Sequence, residues 1–214
     1  MKNFFAFILA LVIVPSIASA QAMAPKVNGH PNASEMVFVN AAMSALLDKY
    51  STPAAAAKAH YVRFTGEDET GAISYANRVW TSTDAAHPSQ LWYDVNGRLI
   101  GADYSVLQAD SPKAPVLWGI DPSRWQTIGA HIHYGLVGPN GTTTYGAMKA
   151  TDNQSPSFAE IVAAGKAKKT SDVRFSFLFP AIWDLEVWLI PNPSGAFAEK
   201  NPDLKPSAAA KSAM

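Results

Sequence analysis

Gln90-Leu91-Trp92-Tyr93-Asp94-Val95-Asn96-Gly97-Arg98-Leu99-Ile100-Gly101-Ala102-Asp103-Tyr104-Ser105-Val106-Leu107 is the stretch whose reading decides the fold. Asn96-Gly97 stands between two runs rich in aromatic and aliphatic residues, and both residues tolerate the positive φ that a tight hairpin turn demands. The stretch therefore predicts two antiparallel strands over 90–95 and 98–107. Similar short runs, bounded by turn residues, follow and precede it: 61–65, 73–80, 130–137, 142–148, 173–179 and 184–190. Pro139-Asn140-Gly141 predicts a second hairpin between two of these.

Upstream of residue 61 the periodicity changes. Met36, Val39, Met43, Leu46, Leu47 and Tyr50 recur at helical spacing, with Asn32 or Ser34 as the candidate cap. Thr52-Pro53 starts a second short helix, because proline fits the first turn, where its missing N–H costs nothing. Both helices are expected to cover one face of a sheet. One more amphipathic helix is predicted over 157–167 (SFAEIVAAGKA). Helices first and antiparallel strands after them make an α+β protein: an N-terminal helix pair on a mostly antiparallel sheet or partial barrel.

At the N-terminus, Lys2 precedes an apolar run from Phe4 to Val14 and the small-residue end Ala18-Ser19-Ala20. Those are the three parts of a cleavable export signal, and the run is shorter than the ~20 apolar residues of a membrane span. The expected organisation is a signal peptide over 1–20, a linker over 21–33, one domain over 34–198 and a flexible tail over 199–214, with the protein periplasmic or secreted. After signal cleavage no segment is expected to insert in a membrane. Seventeen Lys and Arg balance 17 Asp and Glu, so no bulk field attracts nucleic acid. There is no Cys, which removes disulfides, thiolate metal sites and cysteine nucleophiles together.

Two strands carry the chemistry. In Gly129-Ala130-His131-Ile132-His133-Tyr134-Gly135, side chains alternate across the sheet, so His131 and His133 share a face. Neutral imidazole is a good donor for Zn, Cu, Ni or Fe. In Trp183-Asp184-Leu185-Glu186-Val187-Trp188, the residues Asp184, Glu186 and Trp188 share one face and Leu185 and Val187 the other. A carboxylate in so apolar a strand needs a partner if buried, and a cation on His131 and His133 would supply one. The expected set is His131, His133 and Glu186 around one divalent metal, with open positions for water or a small-molecule ligand. The competing readings are a half-exposed strand with Glu186 in solvent, an aromatic cleft that binds a small molecule or glycan without metal, and a structural envelope protein without a metal whose His131-Ile132-His133 strand is hydrogen-bonded core. Asp103 is a candidate to orient a ligand His from behind. His30, His60 and His87 read as surface or capping residues, and the six Trp as core.

The segment from Glu186 to Leu204 (EVWLIPNPSGAFAEKNPDL) resembles the C-terminal signature of a poorly characterised group of exported bacterial proteins. In that group a Leu-His-Val-Trp strand is followed by Asn-Pro-x-Gly-x-Phe-Ala, matched here by Asn192-Pro193-Ser194-Gly195-Ala196-Phe197-Ala198. The stretches 59–64 (AHYVRF) and 97–106 (GRLIGADYSV) and the His131-Ile132-His133 strand are similar as well. Where the group usually shows His before Val-Trp, this chain has Glu186. The exchange keeps a metal ligand but changes its charge and preferred metal. The resemblance implies a fold and a candidate metal site; it implies no particular reaction.

Overall fold

A computed structural model describes residues 29–211. The expected signal peptide and most of the expected linker lie outside them. Three helices and nine strands follow in the order α1 (Ala33–Tyr50), α2 (Pro53–Lys58), β1 (Val62–Glu67), β2 (Ile73–Ala76), β3 (Gln90–Tyr93), β4 (Leu99–Leu107), β5 (Gln126–Ile128), β6 (His131–Val137), β7 (Thr143–Lys149), α3 (Phe158–Ala163), β8 (Val173–Phe179) and β9 (Ile182–Trp188), before a last helical turn at Ala208–Lys211. The expected α+β class is the observed one. All strand pairs are antiparallel, in a six-stranded sheet ordered β1-β2-β3-β4-β9-β5 and a three-stranded sheet ordered β7-β6-β8.

The decisive hairpin forms with a different turn. Asp94 N–H donates to the Arg98 carbonyl, closing a three-residue loop in which Gly97 alone takes positive φ (77°). The Asp94 carboxylate accepts from the Asn96 and Arg98 amides. A bulge between Trp92 and Tyr93 absorbs the extra residue.

Asn32, not Ser34, caps α1. Its Oδ1 accepts from Glu35 N–H at 3.0 Å, and Glu35 Oε2 accepts from Asn32 N–H at 2.9 Å, a reciprocal capping box. Asn32→Ala is expected to cost about 1 kcal/mol in urea unfolding. The buried stripe of α1 is Phe38, Val39, Ala42, Leu46 and Tyr50, whereas Met36 and Leu47 of the expected stripe are exposed. The face is turned because Phe38 stacks on Trp118 at 4.9 Å and meets Tyr104 edge-on, a pairing that no helical periodicity reveals. With Ala56 of α2, this stripe covers Leu91, Tyr93, Ala102, Tyr104, Leu185 and Val187 in the main core. The third helix stops short of the expected 167, and Gly165 lies beyond its end at φ 70°. It packs Ile161 on Ile132, Tyr134 and Val173, the back of the small sheet.

The two sheets are joined by one bent ladder. The chain passes from β5 to β6 through Gly129-Ala130, and from β8 to β9 through Pro180-Ala181. On one side of these joints β5 pairs with β9 (Ile128 opposite Ile182); on the other, β6 pairs with β8 (His131 opposite Phe179). Proline has no N–H to give a ladder, and glycine bends freely, so the kink falls where the sequence permits it. At the far edge β1 runs beside β7, with the Arg63 guanidinium 5.0 Å over the Tyr145 ring. The sheets thus curl around a space without closing into a barrel. Among the described residues, no helix is long and apolar enough to cross a membrane.

The segment 199–207, expected as the start of a flexible tail, packs on the domain instead. Asn201 is buried and donates through Nδ2 to the Pro191 carbonyl at 2.8 Å. Ser207 N–H donates to the Glu67 carboxylate at 2.6 Å. Polar composition suggested a solvated end, but these side chains satisfy turn and strand groups that would otherwise be left without partners.

Candidate functional site

The space between the sheets is a cleft of about 250 Å³. Strand alternation decides what lines it. On the large sheet, Phe64, Ser74, Gln90, Trp92, Asp103, Asp184, Glu186 and Trp188 face the cleft, while their neighbours Leu91, Tyr93, Ala102, Tyr104, Leu185 and Val187 face the helices. From the small sheet come His131, His133 and Phe179. All three residues expected to ligate a metal therefore line one cleft, brought there by the bent ladder from β6 and β9.

The imidazoles are close. His131 Nε2 and His133 Nε2 are 3.0 Å apart. His131 Nδ1 lies 2.8 Å from the Gly129 carbonyl oxygen, which only accepts, so Nδ1 carries the proton and Nε2 is the acceptor for His133 Nε2–H. His131 stacks on Phe179 at 4.5 Å, and His133 meets Phe64 edge-on at 4.7 Å. Burial, and then the charge of His131, push the pKa of His133 down to about 4, so His133 is neutral at physiological pH.

Opposite them lies an acidic floor. Asp103 pairs directly with Glu186 across β4 and β9, and Asp184 sits two residues along the same face. Asp103 and Asp184 are 5% and 2% exposed; Glu186 is half-buried. Trp92 Nε1 donates to Asp103 Oδ2 at 2.8 Å, but Asp103 Oδ1 and Asp184 Oδ1 accept no hydrogen bond among the described residues. Burial pushes both carboxyls well above the usual carboxylate range, and repulsion among the three acids adds to it; the Trp92 bond to Asp103 and a Ser105 bond to Asp184 only partly oppose this. Asp68 and Glu199 also line the cleft, and among its described lining residues there is no Lys or Arg.

Asp103, expected behind a histidine, is instead part of this floor beside Glu186. Asp184 shares the face of Glu186 by simple alternation, the signal that marks it in the sequence. Asp68 and Glu199 carried no such signal, since one lies in a turn and the other in the segment expected to be loose. His60 takes the left-handed position after α2 (φ 67°), and His87 sits 2.8 Å from Asp84 in an exposed turn, so neither reaches the cleft. Of the six Trp, Trp118 and Trp125 belong to the main core, and Trp92 and Trp188, 5.2 Å apart and edge to face, are buried in a smaller core cluster with Ala72 and Ile100 that also walls the cleft. No three His, Asp or Glu side chains among the described residues stand where they could hold a metal ion together.

The segment Asn192–Ala198 is a clamp, not part of the floor. Gly195 (φ 100°) crosses the backbone of Gly29 so closely that a Cβ would strike it. Phe197 N–H donates to the Gly29 carbonyl, and the Phe197 ring lies 5.0 Å beneath the Arg124 guanidinium. The same loop holds the cleft wall: Trp188 donates from its backbone N–H to Ala196 O and from Nε1 to Ala198 O.

Compared with known protein families, curated proteins and solved structures, the chain matches none.

Proposed function

We propose that this is an exported, periplasmic or secreted protein that binds one divalent metal in the inter-sheet cleft through His131, His133 and Glu186. The observation that carries this reading is the imidazole pair. Two nitrogens bound about 2.0–2.1 Å from one ion at a right angle lie ~3 Å apart, which is the Nε2–Nε2 separation here. The Gly129 carbonyl bond leaves the ligating nitrogen of His131 unprotonated, as an outer-shell partner does in metal sites. The imidazoles form one edge of a coordination sphere; Glu186 would complete it by turning its side chain toward that edge, with water in the remaining positions. Nitrogen and carboxylate donors without sulfur favour Zn, Cu, Ni or Fe. The reading assigns binding and no reaction.

Trp92 and Trp188 on the cleft wall favour a second reading, a module that binds a small molecule or glycan without metal.

Metal analysis of untagged protein after dialysis against Zn is expected to give one equivalent, lost in His131→Ala and weakened tenfold or more in Glu186→Ala. At a hundredfold excess over Kd, binding should add about 2.7 kcal/mol to stability. Protein that retains no metal, and whose melting temperature ignores added Zn, Cu, Ni and Fe, would refute the metal reading.

A further inference from the structure

We propose that the acidic floor of the cleft binds a small organic ammonium, a primary amine on an apolar body. Its N–H groups would donate to Asp103 Oδ1 and Asp184 Oδ1, and its body would rest against Trp92 and Trp188.

Four observations converge on that class of ligand. First, the floor has acceptors to spare: Asp103 and Asp184 line the cleft, are more than nine-tenths buried, and each carries an oxygen that accepts nothing from the described residues. A buried oxygen with no donor is costly, and a ligand donor removes the cost. Second, the wall is acidic throughout, with Asp68, Asp103, Asp184, Glu186 and Glu199 and no Lys or Arg among its described residues, in a chain whose net charge is zero. A cationic N–H donor suits the two buried Asp carboxyls, whose described neighbours in the cleft lining include no Lys or Arg. Third, the acids do not form a cage for a bare ion. A hard cation such as calcium takes six to eight oxygens at about 2.3–2.6 Å, whereas no three acid or imidazole groups among the described residues meet around a point. Fourth, the floor is walled by aromatic rings, and a cleft of about 250 Å³ has room for a molecule rather than an atom. Indole faces attract cations and cover hydrocarbon equally well.

Register makes the recognition geometric. Asp103 and Asp184 stand on adjacent strands, diagonal to each other, with Asp103 opposite Glu186 and Asp184 opposite Ser105. Diagonal cross-strand side chains on one face lie within reach of a common partner. An ammonium has three donors and bridges two such carboxyls while its third N–H remains for Glu186 or water. Trp92 ties the floor to the wall, because the indole that donates to Asp103 Oδ2 also lines the cleft.

The amine site does not need the imidazole pair, so it stands or falls apart from the metal reading. The probe is benzylamine, with benzyl alcohol as its uncharged counterpart. Binding is read by calorimetry and by Trp fluorescence on protein stripped with EDTA, in the parent, Asp103→Asn, Asp184→Asn and His87→Ala. Benzylamine is expected to bind at least tenfold more tightly than benzyl alcohol. Each Asn variant should weaken the amine by about tenfold to a hundredfold, the range of a charge-assisted hydrogen bond, while His87→Ala, in an exposed turn outside the cleft, leaves it unchanged. Asn keeps the shape of Asp but removes its charge and replaces one acceptor oxygen with an NH2 donor, so both variants should show the parent's circular dichroism. Equal binding of amine and alcohol, full amine affinity in both folded Asn variants, amine binding that disappears with EDTA, or no amine binding at all would each overturn the proposal.

Discussion

Arg124→Ala is expected to lower the unfolding free energy by about 3–5 kcal/mol, the cost of stripping one partner from a buried ion pair. Arg124 and Glu35 are 7% and 0% exposed at their side chains. The guanidinium grips both carboxylate oxygens, Nε to Oε1 and Nη2 to Oε2, each at 3.0 Å, and Nη2 also donates to the His30 carbonyl at 2.8 Å. Without it Glu35 would keep its Asn32 and Asp121 amide donors but lie buried with an uncompensated charge. Urea unfolding of Arg124→Ala beside the double variant Arg124→Met/Glu35→Leu separates the causes. The double variant should recover much of the loss, because charge and partner leave together. A single variant within about 1 kcal/mol of the parent would show that the pair stabilises little.

The same pair sets an acid limit. Burial pushes the Glu35 carboxyl up, but the Arg124 hydrogen bond, the Asn32 and Asp121 amides and the Arg124 charge outweigh it, and the group titrates below the ordinary glutamate range. A depressed folded pKa contributes stability that is complete above the unfolded value and is lost as pH falls through the folded one. Melting of the parent should therefore fall steeply on the acid side of the glutamate range, and the double variant should fall less.

Gly195→Ala is the second large effect, expected at about 2–5 kcal/mol. Part is the strain of a left-handed residue, roughly 1–2 kcal/mol. The rest is collision: the new Cβ would strike the carbonyl group of Gly29 and the amide of His30, backbone that cannot swing aside as a side chain end does. Gly141→Ala is the control, since Gly141 also has positive φ (73°) but nothing lies within 4 Å of a Cβ there. Its cost should be the strain alone. If the two variants unfold at the same urea concentration, the crossing with Gly29 does not matter to stability. Gly195→Ala should also change Trp fluorescence, because the displaced loop supplies both acceptors of Trp188.

This clamp shows that a motif's role can rest on contacts its own residues do not reveal. The spacing within Asn192–Ala198 assigns that stretch no role. Its residues instead satisfy backbone groups and seat Gly29 and Arg124, contacts between segments far apart in the chain. Phe38 teaches the same lesson for α1: spacing identifies a helix, but only Trp118 and Tyr104 determine which of its apolar residues turn inward.

Local patterns by themselves determined the α+β class, the hairpins at Asn96-Gly97 and Pro139-Asn140-Gly141, the shared face of His131 and His133, and the shared face of Asp184, Glu186 and Trp188. Each follows from the two-residue repeat of a strand or from turn chemistry, properties settled within a few neighbouring residues. Only the tertiary structure decided that these two faces look into the same cleft, that Asp103 and Glu199 join them there, and that the chain after Ala198 is held down. Those outcomes depend on the kinks at Gly129-Ala130 and Pro180-Ala181 and on partners distant in the chain, such as Glu67 for Ser207, 140 residues apart. A sequence pattern fixes which way a side chain points relative to its own strand; the bend between two sheets fixes what it points at.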